Sequence, residues 1–326
     1  MKQFLYPLRF APVFKEYIWG GSRMKTVLGK RHPMKTCAES WELSCLPGCI
    51  SVVCNGIFEG NDLRKLIETY KGELTGNRVY ERFGADFPIL VKFIDAQEPL
   101  SVQVHPDDLL AAERHHSKGK TEMWYVMEAG AESSLIAGFR QKMNRETLLR
   151  AIREKRLQDV MNVEKVTPGD VFFIPAGRIH AIGKNILLAE IQQTSDLTYR
   201  LYDWERVDAN GKPRETHLEL ALDAIDYQMY DNYRTHYQKP VQGTAALVQC
   251  PCFTTNIVCL DQPMTKNYGT LDSFVIYICT AGAAFISWGD AESLSICKGE
   301  TLLIPASLNE IGIEPIQSTE LLEVYL

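Results

Sequence analysis

Pro168-Gly169-Asp170-Val171-Phe172-Phe173-Ile174-Pro175-Ala176 is echoed further along by Lys298-Gly299-Glu300-Thr301-Leu302-Leu303-Ile304-Pro305-Ala306. Each copy is a turn glycine, an acid, four β-favouring residues, then proline and a small residue. That order suits the entry into a strand of a small antiparallel barrel. Upstream, Ala129-Gly130-Ala131 is matched by Ala281-Gly282-Ala283. Two copies imply two similar β-barrels. Other short runs rich in Val, Ile, Phe and Tyr read as strands: 88–94, 100–105, 122–127, 186–193, 197–203 and 273–280. Helical periodicity is confined to 62–71, 107–116, 144–162 and 217–226. In 144–162, Leu148, Leu149, Ile152 and Leu157 share one side and Asn144 is the expected cap. Strands and helices do not alternate one for one, which argues against a doubly wound parallel sheet. The expected class is mainly β, with two barrels carrying helical insertions at about 107–117 and 144–162. Residues 1–240 are expected to form the first domain and 241–326 the second.

The chain has 326 residues, with 45% hydrophobic and 23% charged, values that exclude a disordered or collagen-like chain. Lys plus Arg is 35 against 41 Asp plus Glu, a net charge of −6. That balance argues against a nucleic-acid surface, which shows a basic stripe. A small anionic substrate stays open, because a local basic pocket is invisible in the sum. Pro7, Arg9, Pro12 and Lys15 interrupt the N-terminal apolar residues, which is unlike a signal peptide. No run approaches the ~20 apolar residues of a membrane span. The nine cysteines lie mostly among apolar neighbours and are read as free thiols, mainly buried, in a reducing cytoplasm. Cys45, Cys49 and Cys54 lack the paired spacing of a zinc finger.

The two copies differ in polar residues. Five positions after Pro175 stands His180, where the second copy has Glu310. Counting back from the Ala-Gly echo, Glu122 corresponds to Phe274. Gln103 and His105 are two apart on a strand and share a face. His105, Glu122 and His180, with Gln103 adding an amide oxygen, make a divalent-metal set in the first copy only. Zinc is the first expectation, with manganese, iron and cobalt open. The alternative for each histidine is an ordinary hydrogen-bonded ring. His115 and His116 are read as solvated surface. Arg200 lies among bulky β residues, where an inward guanidinium needs an anion or a carboxylate. The bland reading is a salt bridge to Asp196, Asp203 or Glu205. Lys120 shares the face of Glu122, so Lys120 and Arg200 would form a positive locus beside the metal. Such a locus suits a phosphorylated or enediolate-forming substrate.

Six segments carry a family resemblance: YIWGG (17–21), ESWELS (39–44), LSVQVHPDD (100–108), GKTEMWYV (119–126), TPGDVFFIPAGRIHAIG (167–183) and EIQQTSDLTYRLYDW (190–204). Together the chain resembles the type I mannose-6-phosphate isomerases, in their short bacterial form, which are zinc-dependent cupins. The final third resembles the family's metal-free cupin barrel. The resemblance implies two jelly-roll barrels and one Zn2+ per chain, held by His105, Glu122 and His180 with Gln103. It implies Arg200 as the catalytic arginine, with Asp196 and Lys120 as polar partners. The implied reaction interconverts mannose 6-phosphate and fructose 6-phosphate through a cis-enediol. The base is left among Lys120, Glu122 and a metal-bound hydroxide. Trp19 and Trp41 line the sugar pocket or are buried core. Two rival functions share the ligand set: an iron-dependent oxygenase, and a sugar-binding cupin without turnover.

Overall fold

The computed structural model describes residues 4–207, 211–289 and 291–326. Every strand ladder among them is antiparallel, and the larger sheets fall into two pairs. In the first pair, a seven-stranded sheet runs Arg234–Thr235, Val171–Ile174, Glu122–Ala129, Ile186–Gln193, Ile89–Ala96, Glu39–Leu43, Val13–Lys15. Its companion is the five-stranded order Tyr199–Tyr202, Val102–Val104, His180–Ala181, Ser134–Phe139, Met161–Lys165. The second pair joins a five-stranded sheet containing Val275–Ala281 and Thr301–Ile304 to a four-stranded one containing Ala283–Trp288 and Glu310–Pro315. The fold is mainly β, as the strand pattern requires.

The period-2 alternation of the strands builds four cores, one of them between the five-stranded sheet of the first pair and the helices that cover it. Trp124, Val126, Phe172 and Leu188 pack inward with Leu135 and Ala137 of the companion sheet. Tyr277, Leu302 and Val258 do the same with Ile286 and Ile313 in the second pair. The intervening residues Met123, Tyr125 and Ile191 point the other way and meet Phe274, Ile276 and Leu322 in a cluster that spans both sheet pairs. Phe87 and Phe274 touch there with ring centroids 4.4 Å apart. No helix among the described residues is long and apolar enough to cross a membrane.

The sequence echo marks equivalent strands. Val171–Ile174 pairs with Glu122–Ala129 as Thr301–Ile304 pairs with Val275–Ala281. Gly169 and Gly299 open both turns at φ +92 and +87, a region closed to most side chains. The register corrects one equivalence: Ile174 faces Glu122 and Ile304 faces Val275, so Glu122 matches Val275 rather than Phe274. The Ala-Gly echo is misleading by one residue, and a one-residue slip turns a side chain to the other face.

Helices Leu63–Tyr70, Asp108–His115 and Leu218–Ala224 form where periodicity places them. Asp62 and Asp107 cap the first two by accepting the N–H of Lys65 and Leu110, each at 2.8 Å. The expected 144–162 helix is divided. Asn144 and Thr147 form a capping box, but the helix is Arg145–Arg153, followed by a short Leu157–Val160 and then the strand Met161–Lys165. Lys155, at φ +55, breaks the run. The helices Gly72–Thr75 and Asn77–Phe83 are too short for their periodicity to stand out in the sequence.

Candidate active site

Three strands of the first sheet pair bring the expected ligands together. Gln103 and His180 are direct ladder partners, and Arg200 faces Gln103 from the other side. His105 follows the strand Val102–Val104, and Glu122 opens Glu122–Ala129. The ligand atoms of His105, Glu122 and His180 all lie within 4.8 Å of one another, and all three residues are buried. Both imidazoles are oriented from behind: Nδ1 of His105 meets the Leu197 carbonyl and Nδ1 of His180 the Arg178 carbonyl, each at 2.8 Å. A ring N–H given to a carbonyl leaves Nε2 bare as an electron-pair donor, the arrangement of a metal-ligating histidine. Each Nε2 is 3.5 Å from a Glu122 carboxylate oxygen.

A divalent cation fits this set on an observation independent of residue type. Glu122 Oε1 is buried without a hydrogen-bond partner, a costly state for a carboxylate unless a cation meets it. Burial, followed by the neighbouring Glu190, pushes the Glu122 carboxyl up to about 7. Burial pushes the His180 imidazole down to about 4 and holds His105 well below its ordinary value, with Lys120 opposing its protonation next. The rings are therefore neutral near pH 7, as metal ligands must be.

Lys120 shares the Glu122 face as its spacing implies. Its Nζ lies 3.0 Å from Glu122 Oε2 and 3.2 Å from His105 Nε2. Gln103 Nε2 lies 3.2 Å from His180 Nε2, so the amide stands at the ligand cluster. Trp19, Trp41, Asp196, Lys120, Gln103 and Arg200 all border one cavity of about 420 Å3, a size that accepts a small sugar phosphate. Trp19 and Trp41 are also 4% and 6% exposed, so they are core residues with one edge on the cavity.

Arg200 departs from the bland reading. Its donors meet Ser101 Oγ at 3.2 Å and the Glu215 carbonyl at 2.8 Å, both neutral acceptors. Asp203 is taken by Arg206, and Glu205 pairs with Lys155 at 2.9 Å. His115 and His116 are exposed, as their neighbours imply, and His115 Nε2 lies 2.7 Å from the Tyr199 hydroxyl. All nine cysteines are free; Cys37, Cys45, Cys259 and Cys279 are buried, whereas Cys54 and Cys297 are exposed.

Sequence reasoning missed the layer beneath the ligands. Lys92 and Glu190 are ladder partners, and Glu190 is also opposite Trp124. Glu190 accepts from Trp124 Nε1 at 3.0 Å and pairs with Lys92 at 3.2 Å. Lys92 is 3.9 Å from Glu39, which accepts from Trp41 Nε1 at 2.6 Å. Burial works against the Lys92 charge, but Glu190, then Glu39 and Glu122, outweigh it and raise its proton affinity. The available signal was one charge inside each of the apolar runs ILVKFI and ILLAEI, since a charge in a fully buried strand needs a partner.

Both sequence and fold are similar to those of known proteins. The family model for the catalytic domain of type I phosphomannose isomerase matches residues 7–136. The chain is 38% identical to the mannose-6-phosphate isomerase ManA of Bacillus subtilis over 94% of its own length and 96% of that protein's. It is 34% identical to the mannose-6-phosphate isomerase of Streptococcus mutans, covering 93% of each. The crystal structure of the mannose 6-phosphate isomerase from Bacillus subtilis superposes with a TM-score of 0.87 at 30% identity, over 98% of this chain and 99% of that one. A putative mannosephosphate isomerase from Archaeoglobus fulgidus shares the fold at a TM-score of 0.78 and 23% identity, over 98% and 97% of the two chains. On this evidence the chain belongs to the type I phosphomannose isomerase family.

Proposed function

We propose that this protein is a zinc-dependent isomerase interconverting mannose 6-phosphate and fructose 6-phosphate. The observation that carries the reading is the buried His105–Glu122–His180 cluster, with its orphaned carboxylate oxygen, directly behind Lys120 and Gln103, which line a cavity that Arg200 also borders. His105, Glu122 and His180 would hold the zinc, and a half-turn of the Gln103 amide would present its oxygen as a further ligand. When bound, the ion supplies Lewis-acid polarisation of the substrate oxygens. In the two-domain reading, residues 1–240 contain this site and 241–326 form a metal-free barrel.

The chain's own residues divide the remaining work. Trp19 and Trp41 wall the sugar on the apolar side. The carbonyls of Leu197 and Arg178 keep both imidazoles in one tautomer. Lys120 places a positive charge beside the ligand cluster, and Arg200 presents a guanidinium with no carboxylate partner among the described residues. Cations aimed at the oxygens of a cis-enediol lower the barrier to moving a proton between C2 and C1. Asp196 adds a polar contact on the same wall. An oxygenase does not account for the two cations retained at the cavity, and a sugar binder is separated from an isomerase by turnover.

The test is a coupled assay of metal-loaded protein with mannose 6-phosphate, and glucose 6-phosphate as control. The expected result is fructose 6-phosphate from the mannose compound alone. Tight binding of the sugar phosphate without product would replace the isomerase by the binding protein.

A further inference from the structure

Five cations border the cavity: Lys15, Lys92, Lys120, Arg200 and Arg214. Two of them are neutralised at close range, Lys92 by Glu190 at 3.2 Å and Lys120 by Glu122 at 3.0 Å. Arg214 is only weakly paired: among the described residues its carboxylate partner is Asp203, whose Oδ1 lies 3.6 Å away and already pairs with Arg206. One buried carboxylate therefore serves two guanidiniums, and Arg200 stands in the same neighbourhood with only neutral hydrogen-bond acceptors among the described residues. The repulsion is felt: burial and then Arg214 lower the proton affinity of Arg200, and Arg206 adds to this, partly offset by Asp203. A folded protein that crowds several cations around one carboxylate holds a place for a further anion.

The position of Arg214 narrows the choice of anion. Arg214 borders both the main cavity and an adjoining depression lined by Tyr17, Ile18 and Val207. It therefore sits where the cavity opens, with its side chain 32% exposed. Lys120 and Gln103 line the buried part of the cavity, with the ligand cluster behind them. A sugar phosphate has the same polarity: the reacting carbons carry hydroxyl and carbonyl oxygens at one end, and the phosphate dianion is at the other. Guanidinium is suited to phosphate because its fork of donors can bind two oxygens at once.

We infer that Arg214 binds the phosphate group of the substrate at the cavity mouth and so sets the preference for phosphorylated sugars. The inference rests on the isomerase reading for the identity of the substrate. Arg214 belongs to binding and not to the proton transfer, so it contributes equally to ground state and transition state.

The experiment compares wild type with Arg214→Ala and Arg214→Lys, all metal-loaded. It measures kcat and KM for mannose 6-phosphate, the inhibition constant of inorganic phosphate, and calorimetric affinity for mannose 6-phosphate. Loss of one charge-assisted contact predicts KM and the phosphate inhibition constant raised roughly tenfold to a hundredfold in Arg214→Ala. The kcat should change by less than about threefold. Arg214→Lys should recover part of the loss, which a general folding defect would not. Unchanged KM and unchanged phosphate inhibition in Arg214→Ala would overturn the inference. So would a fall in kcat at constant KM, which would move Arg214 into the chemical step. If wild type lacks turnover, the isomerase reading fails. Calorimetry still decides the subsite, since equal affinities of wild type and Arg214→Ala would exclude it.

Discussion

At the scale of single residues, the site is a set of charges that would be untenable apart from one another. Lys92 and Glu190 are both almost fully buried and answer each other across one ladder. Removing one partner leaves the other desolvated, a larger loss than the pair itself is worth. Lys92→Met is therefore expected to lower unfolding stability by about 3–5 kcal/mol. The double variant Lys92→Met with Glu190→Gln should recover part of it. Urea titration of the metal-free proteins measures both, and a double variant no more stable than the single one would refute the ion-pair account. His105, Glu122 and His180 could be found in the sequence because they are polar within β-runs and one of two internal copies lacks them. Lys92 and Glu190 were less legible because each is a single charge whose partner lies on a distant strand. Arg214 follows the stretch of quoted family-like sequence, and only folding brings it to the cavity.

Secondary-structure elements show the same division between local and distant causes. The caps at Asp62, Asp107 and Asn144 are local chemistry, and the helices begin where those residues stand. The end of the 145–153 helix is not local in the same way. Leu157 continues the apolar side, yet Lys155 turns the backbone and Met161–Lys165 joins the sheet edge beside Ser134–Phe139. Pairing to a strand more than twenty residues earlier outweighs continuation of the helix. The Asn77–Phe83 helix is likewise fixed from afar. Asp272 accepts the N–H groups of Asn77 and Arg78 at 2.6 and 3.0 Å. These bonds, that from Arg78 first, hold the Asp272 carboxyl below its ordinary value of 3.8. A carboxyl depressed on folding contributes stability that is fully present above its unfolded pKa and is lost as pH falls through its folded pKa. Asp272→Ala should cost about 1 kcal/mol near pH 7, as for a lost helix cap. The difference from wild type should shrink as pH falls below about 4. A difference independent of pH from 7 to 3 would rule out the charged cap.

Across the whole molecule, the two sheet pairs repeat one plan with different contents. Glu190 opposite Trp124 corresponds to Glu323 opposite Tyr277, and Lys92 beside Glu190 corresponds to Asn256 beside Glu323. In the second pair Glu323 is satisfied by Lys266 at 3.0 Å, Asn256 at 2.9 Å and Tyr268 at 2.6 Å. Val275 stands where the first pair has Glu122, and Asn267 opposite Glu310 replaces Gln103 opposite His180. The buried carboxylate survives in both copies, while the candidate ligand set is complete in one. The net charge of −6 gives no hint of this, because the cavity gathers its cations locally. The central claim is that the His105–Glu122–His180 cluster holds a metal on which isomerisation depends. The direct measurement is the rate of fructose 6-phosphate formation, alongside metal content, before and after chelation and after adding zinc. The account predicts that activity falls with the metal and returns with about one zinc per chain, as one three-residue cluster requires. Full turnover in protein verified to be metal-free would contradict it.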